Sequence, residues 1–141
     1  MQIRILHNDD ELTESFSVMK ALRPHLKEEG YVSKIRRQQE QGYQLAAVID
    51  DPGEISALAG YRFAECMAWG RILYLDDLIT DPNKLKRGYA GALLDWLEEV
   101  GKQNGCDELH LDTGPQRLDA HRLYHKKAWQ ISSYHMSKAL R

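Results

Sequence analysis

Two adjacent carboxylates, Asp76 and Asp77, lie on a predicted strand shortly before a basic turn that leads into a predicted helix. A turn of this kind directs free backbone N–H groups and the positive end of the helix dipole toward one place. Gly88 would let a ligand approach the backbone closely, while Lys86 and Arg87 add positive charge. The segment therefore predicts an anion-binding site close to two carboxylates, although an ordinary solvated connection between strand and helix has the same composition.

The composition limits the classes of function. The chain has 141 residues, of which 43% are hydrophobic, as is typical of one domain with one core. Its net charge of -2, with acidic and basic residues interspersed, provides no basic stripe, so we expect no nucleic-acid partner. Cys66 and Cys106 form no Cys-x-x-Cys pair, which favours a reducing compartment. No stretch approaches the roughly 20 apolar residues of a membrane span, so we expect a cytoplasmic protein with no membrane partner.

The hydrophobic periodicity predicts the order strand, two helices, three strands, helix, strand, helix, strand. The first helix is expected to run unbroken to Pro24, and the second from about 28 to 41. Short connections make the three consecutive strands an antiparallel meander. The clearest helix begins near Tyr89, where apolar residues recur at helical spacing. The last predicted elements are a strand over 108–112, a helix over 118–127 and a closing strand from about Ile131 to Leu140.

The segment from Tyr74 to Leu94 resembles the signature region of the GNAT superfamily of acyl-CoA-dependent N-acyltransferases, whose loop pattern is Arg/Gln-x-x-Gly-x-Gly/Ala. Gly88 and Ala90 match the last two fixed positions, whereas Leu85 stands where Arg or Gln is usual. The predicted order of elements is also the family's order. Near the other end of the chain, the run 119–124 resembles the family's fourth-helix motif, although Ala-Trp follows it in place of the usual Gly-Phe.

The resemblance implies an α/β fold of mixed α+β type, formed by one acetyltransferase domain over residues 1–141. Its central mixed, mostly antiparallel sheet would have six to seven strands flanked by about four helices. The sheet would open between its fourth and fifth strands, so that acetyl-CoA enters by one side and the amine by the other. The residues implied in acetyl-CoA binding, mainly through the backbone, are Leu78, Ile79, Thr80, Lys86, Arg87, Gly88, Tyr89, Ala90 and Gly91.

Acetyl transfer needs a neutral amine, and a lysine-like amine is about three pKa units from that state at neutral pH, which costs about 4 kcal/mol. A carboxylate acting as general base would offset much of this cost. Strand alternation puts Asp76 and Asp77 on opposite faces unless a bulge turns the chain, so at most one is expected to line the cleft without a bulge. Family analogy favours Asp76 as the base. The alternative is that both are exposed carboxylates at a sheet edge.

The resemblance also implies that Tyr124 is the general acid that protonates the departing CoA thiolate, although a core tyrosine of an amphipathic helix fits the same position. His121 and His125 have the i, i+4 spacing of helical metal ligands. No Cys partner or His-Glu-x-x-His context accompanies them, so we predict no metal. His110 and Asp112 share a strand face and could contact substrate.

These observations predict an N-acetyltransferase that transfers an acetyl group from acetyl-CoA to the amine of a small molecule or peptide, by direct attack in a ternary complex. The acidic residues around the cleft would suit a cationic amine. A homodimer is also considered, because the last strand often pairs between subunits in relatives. The alternative function is a catalytically silent acyl-CoA-binding or sensor module of the same fold.

Overall fold

The computed structural model describes residues 1–141, which form two compact units, Met1–Leu111 and Asp112–Arg141. The second unit contains a single helix, α5 (Leu118–Lys126). No helix has both the length and the apolar character that a bilayer crossing requires. The elements of the first unit are β1 (Gln2–Ile5), α1 (Asp9–Glu14), α2 (Phe16–Leu22), α3 (Tyr31–Gln39), β2 (Gln44–Asp50), β3 (Glu54–Cys66), β4 (Gly70–Thr80), a 3₁₀ turn (Pro82–Lys84), α4 (Tyr89–Gln103) and β5 (Glu108–Leu111).

The five strands form one mixed sheet in the order β1-β2-β3-β4-β5. The first three pairings are antiparallel, which confirms the predicted meander, and β5 pairs with β4 in parallel. This parallel pairing extends only over Ile72–Leu75 of β4. From Asp76 onward, the edge of β4 on the β5 side has no strand partner, so the sheet opens there as expected.

A β-bulge in β4 changes the direction of its side chains. Gly60 of β3 is opposite Asp77, whereas the next residue, Tyr61, is opposite Leu75, so Asp76 is the inserted residue. Such an insertion locally breaks the regular alternation of the strand. Asp76 and Asp77 consequently both line one cavity. The sequence predicted that only one of them would do so unless a bulge interrupted the strand, and this bulge is present.

The predicted first helix is divided into α1 and α2 at Ser15. Ser15 is fully buried, and its hydroxyl group donates to the Leu12 carbonyl at 2.6 Å and lies 2.7 Å from the Tyr31 hydroxyl. These tertiary contacts satisfy a buried polar group at the division. α1 begins with a capping box formed by Asn8 and Glu11, a spacing visible in the sequence.

The predicted closing strand is wrong, and with it the expected six to seven strands, because residues 131–140 form no strand. Apolar residues in this segment resemble a strand pattern, but a strand exists only where another strand accepts and donates its hydrogen bonds. There are five α-helices instead of about four, since the first is divided. Large side chains of the segment are 79–95% exposed, and these are Ile131, Tyr134, Met136 and Leu140.

Candidate active site

The bulge in β4 forms part of the wall of a cavity of about 470 Å³ within the Met1–Leu111 unit. This volume lies in the range of small-molecule sites. Helices α2 and α3 with the loop between them form the opposite wall. The polar residues that line the cavity and enter the arguments below are Arg23, His25, Tyr31, Lys34, Tyr43, Asp76 and Asp77.

Asp76 is held by Arg62 of β3. Nε of Arg62 donates to both carboxylate oxygens at 3.1 Å, and Nη2 donates to Oδ2 at 2.6 Å. The Asp76 side chain is only 21% exposed. Burial raises the pKa of Asp76 above its usual value, and Arg62 opposes that effect without cancelling it. The carboxylate is therefore a stronger base than an ordinary aspartate and has a fixed orientation.

Asp77 has different partners. The Tyr43 hydroxyl donates to its Oδ2 at 2.8 Å, and Nε of Arg23 donates to Oδ1 at 3.1 Å. Nη2 of Arg23 also donates to the backbone carbonyl of Asp76 at 3.0 Å. Arg23, which follows α2, thus connects that helix to both residues of the bulge. Both carboxylates are thus hydrogen-bonded, Asp76 by Arg62 alone and Asp77 by Tyr43 and Arg23 together, so that Asp77 also joins α2 to the sheet.

Two buried tyrosines complete this side of the cavity. Burial raises the pKa of Tyr31 to about 12 and raises the pKa of Tyr43 well above its ordinary value. Both phenols therefore stay protonated at neutral pH. Tyr43 can for this reason donate its hydrogen bond to Asp77. The guanidinium of Arg62 lies 5.4 Å from the centre of the Tyr43 ring, close enough for a cation–π contact.

Gly60 is required by the position of Tyr43. A Cβ atom on Gly60 would lie 2.7 Å from Cε1 of the Tyr43 ring and closer still to its hydroxyl group. We expect Gly60→Ala to lower the free energy of unfolding by about 1–3 kcal/mol, the usual cost of overpacking a core. Urea denaturation measures this loss. A change below about 0.5 kcal/mol would contradict the close packing of Tyr43 over β3.

The loop before α4 has the predicted form of an anion site. Gly88, the N-cap residue of α4, has a φ of 80° and no side chain caps the helix. The backbone N–H groups from Lys86 to Gly91 make no hydrogen bond within the protein. Six free donors at the positive end of a fifteen-residue helix are suited to a diphosphate. This backbone arrangement does not depend on the side chain at Leu85, where the family usually has Arg or Gln.

Asp50, at the end of β2, anchors this loop and was missed by the sequence analysis. Its carboxylate lies 3.2 Å from Lys84 Nζ and accepts a hydrogen bond from the Tyr89 hydroxyl at 3.1 Å. Hydrogen bonds hold the pKa of Asp50 below its usual value. The one from Ser56 has the largest effect, and those from Lys84 and Tyr89 have smaller effects. The carboxylate therefore stays ionised and connects β2 to both sides of the loop. No local pattern marks Asp50, because its partners lie 34 and 39 residues away.

The cavity also contains partners that the sequence analysis did not find. The two carboxylates interact with Arg23, Tyr43 and Arg62. Residues of these types are common at helix ends and in or beside strands, so no local pattern marked them as part of a site. His110, considered as a substrate contact, instead packs its ring against Trp69 with 4.2 Å between centroids. With an arginine paired to each carboxylate, the cavity has no excess of negative charge.

The remaining predicted residues lie in two places. Leu78, Ile79 and Thr80 follow the bulge in β4. They pair with β3 on one side and have no strand partner on the β5 side. Tyr124 belongs to α5 in the second unit, where its ring lies 6.1 Å from that of Trp129 and burial raises the pKa of its hydroxyl. His121 of the same helix lies 2.9 Å from the Gly114 carbonyl. No group of three or more His, Cys, Asp or Glu side chains is arranged to hold a metal ion.

Comparison with known proteins places this geometry in a family. The model of the acetyltransferase (GNAT) family matches residues 7–128. The chain belongs to this family. An uncharacterized N-acetyltransferase of Bacillus subtilis, YhdJ, is 31% identical over 136 residues, which are 95% of each chain. This confirms the resemblance seen in the loop and in the order of elements.

Two further matches are more limited. An aminoalkylphosphonate N-acetyltransferase of Salmonella typhimurium is 32% identical over 66 residues, covering 47% of this chain and 43% of the relative. The solved structure of an aminoglycoside N-acetyltransferase in complex with CoA superposes with a TM-score of 0.83, at 17% identity, covering 99% of this chain and 94% of the other. The GNAT acetyltransferase fold is thus shared with an enzyme that binds CoA.

Proposed function

We propose that the protein transfers the acetyl group of acetyl-CoA to the primary amine of a small molecule or peptide by direct attack in a ternary complex. The whole chain, 1–141, would act as one acetyltransferase domain. The observation that carries the proposal is the run of free N–H groups from Lys86 to Gly91, which suits the diphosphate of CoA. The partial relative named for aminoalkylphosphonates supports a small amine as the acceptor.

In this reaction Asp76 accepts a proton from the ammonium group of the acceptor, directly or through water. The neutral nitrogen attacks the thioester carbonyl carbon, a C–N bond forms, and the C–S bond breaks to release CoA thiolate. The nitrogen, positively charged after the attack, loses its second proton to water to give the amide. Backbone N–H groups along Leu78–Thr80 can hold the carbonyl oxygen as negative charge develops on it. The raised pKa of Asp76 reduces the energetic gap between the base and the amine.

Tyr124 is the proposed proton donor to the departing thiolate. Because burial raises the pKa of its hydroxyl group, Tyr124 stays protonated at neutral pH and can donate. Transfer of that proton to a thiolate with a pKa near 8.5 is uphill, and the raised pKa of Tyr124 adds to the cost, so a hydrogen bond to the sulfur contributes at least as much as full transfer.

The test combines the protein with acetyl-CoA and a panel of amines, amino acids, polyamines and peptides, while the release of the CoA thiol is measured. We expect release with at least one acceptor, and intersecting double-reciprocal plots, as a ternary complex requires. Tyr124→Phe should lower kcat and leave the Kd of CoA unchanged. Binding of CoA without release for any acceptor would instead support a silent acyl-CoA-binding module.

We also propose that the protein forms a homodimer. Residues 131–140 expose four large apolar side chains within ten residues, and a surface of this kind is often covered by a partner. A second copy of the chain would cover them. Light scattering should then give twice the 16.3 kDa mass of one chain, whereas a single-chain mass at all concentrations would contradict the proposal.

A further inference from the structure

The charges of the cavity favour a particular class of acceptor. Each of its carboxylates, Asp76 and Asp77, already has an arginine partner. The lining also contains Lys34 of α3 and the imidazole of His25. With Arg23, Lys34 and the nearby Arg62, three permanent cations accompany two carboxylates. A ligand that carries only positive charge would therefore enter a cavity with no net attraction for it.

Lys34 of α3 is exposed. Its ammonium group makes no ion pair and no hydrogen bond, and its side chain lines the cavity at the wall opposite β4. Nη1 of Arg23 is also without a partner, because only Nε and Nη2 of that guanidinium contact the bulge. Two cationic donors of the lining are thus available to a ligand, and Arg23 is fixed in place by Asp77.

We propose that the acceptor is a small amine that carries its own anionic group, a carboxylate or a phosphate-type group. The anionic group binds Lys34 and Nη1 of Arg23, and this places the amine toward the Asp76 carboxylate. The inference rests on the proposed acetyl transfer and adds the substrate class of the same cavity. Lys34 is a specificity-determining residue in this arrangement, since it touches the substrate away from the reacting nitrogen.

Two matched pairs of acceptors test the inference. They are phosphoethanolamine with ethanolamine, and β-alanine with its amide, so that each pair differs mainly in an anionic group. We expect kcat/KM to be at least about tenfold higher for the anionic member of one pair or both. The pair with the larger ratio distinguishes a phosphate-type group from a carboxylate. A higher kcat/KM for the members that lack the anionic group, or for polyamines, would overturn the inference.

Lys34→Gln should lower kcat/KM for the preferred anionic acceptor by about tenfold or more, mainly through KM, and leave kcat/KM for its counterpart without the anionic group within about twofold. The matched control is Lys27→Gln, because Lys27 is exposed and does not line the cavity. Equal losses for both members of a pair would show a structural role for Lys34 and overturn the inference. If CoA is released only with amines that lack an anionic group, the proposed function stands and only the inference fails. If no amine releases CoA, both fail.

Discussion

Asp76→Asn is expected to lower kcat by about a hundred- to ten-thousand-fold, the usual contribution of a general base. The amide keeps the shape of the carboxylate but cannot accept the proton of the acceptor amine. Steady-state kinetics at saturating acetyl-CoA measures the effect, and the Kd of CoA should stay unchanged because the loop around Gly88 is separate in sequence and in contacts.

Asp77→Asn is the matched comparison. Asp77 accepts hydrogen bonds from Tyr43 and Arg23, and an amide oxygen can still accept one of them. We therefore expect a smaller loss of kcat than for Asp76→Asn. If the loss at Asp77 is the larger one, the general base is Asp77. Thermal unfolding of both variants shows whether a loss of activity reflects a loss of folded protein.

The pH dependence gives a second measure of the same residue. Burial raises the pKa of Asp76, so its protonation occurs at a higher pH than the value near 3.9 of a free aspartate. As pH falls through that pKa, the base is protonated and kcat/KM falls. This acidic limb should be absent in Asp76→Asn. If kcat/KM of the variant still falls at the same acidic pH, the fall is caused by another group.

Gly88→Val is expected to raise the Kd of CoA by about tenfold to a hundredfold. Gly88 has a φ of 80°, which a β-branched residue adopts only with strain, and the new side chain would stand among the free N–H groups. Loss of charge-assisted hydrogen bonds to a diphosphate accounts for a change of this size. Isothermal titration calorimetry with CoA measures it directly.

Gly105→Val provides the control for strain. Gly105 has a φ of 70°, follows the other end of α4, and, like Gly88, has no atom within 4 Å of an added Cβ. Both variants should lose a similar amount of stability, about 1–2 kcal/mol. Only Gly88→Val should lose affinity for CoA. Equal effects of the two variants on CoA binding would contradict a diphosphate site at this loop.

The loop before α4 could be predicted from the sequence more fully than the cavity beside β4. The loop was predicted with its glycine, its basic residues and the helix that follows, because a strand-to-helix connection has local signals within a few residues. The anchor of that loop, Asp50, was not predicted. The cavity was predicted only as two carboxylates, and their arginine partners were missed, so the balance of charge in the cavity was not predicted.

The amino-acid sequence by itself determined the order of the elements from β1 to α5, apart from the division of the first helix. It also determined the capping box of α1, the turn at Gly88 and membership of the GNAT family. These features depend on the spacing of neighbouring residues. Only the tertiary structure decided that a bulge at Asp76 turns both carboxylates into one cavity, that Arg62 and Arg23 pair with them, and that residues 131–140 form no strand. The physical reason is that such contacts join residues up to 54 positions apart. They depend on strand register and on the availability of a partner strand, which no local pattern specifies.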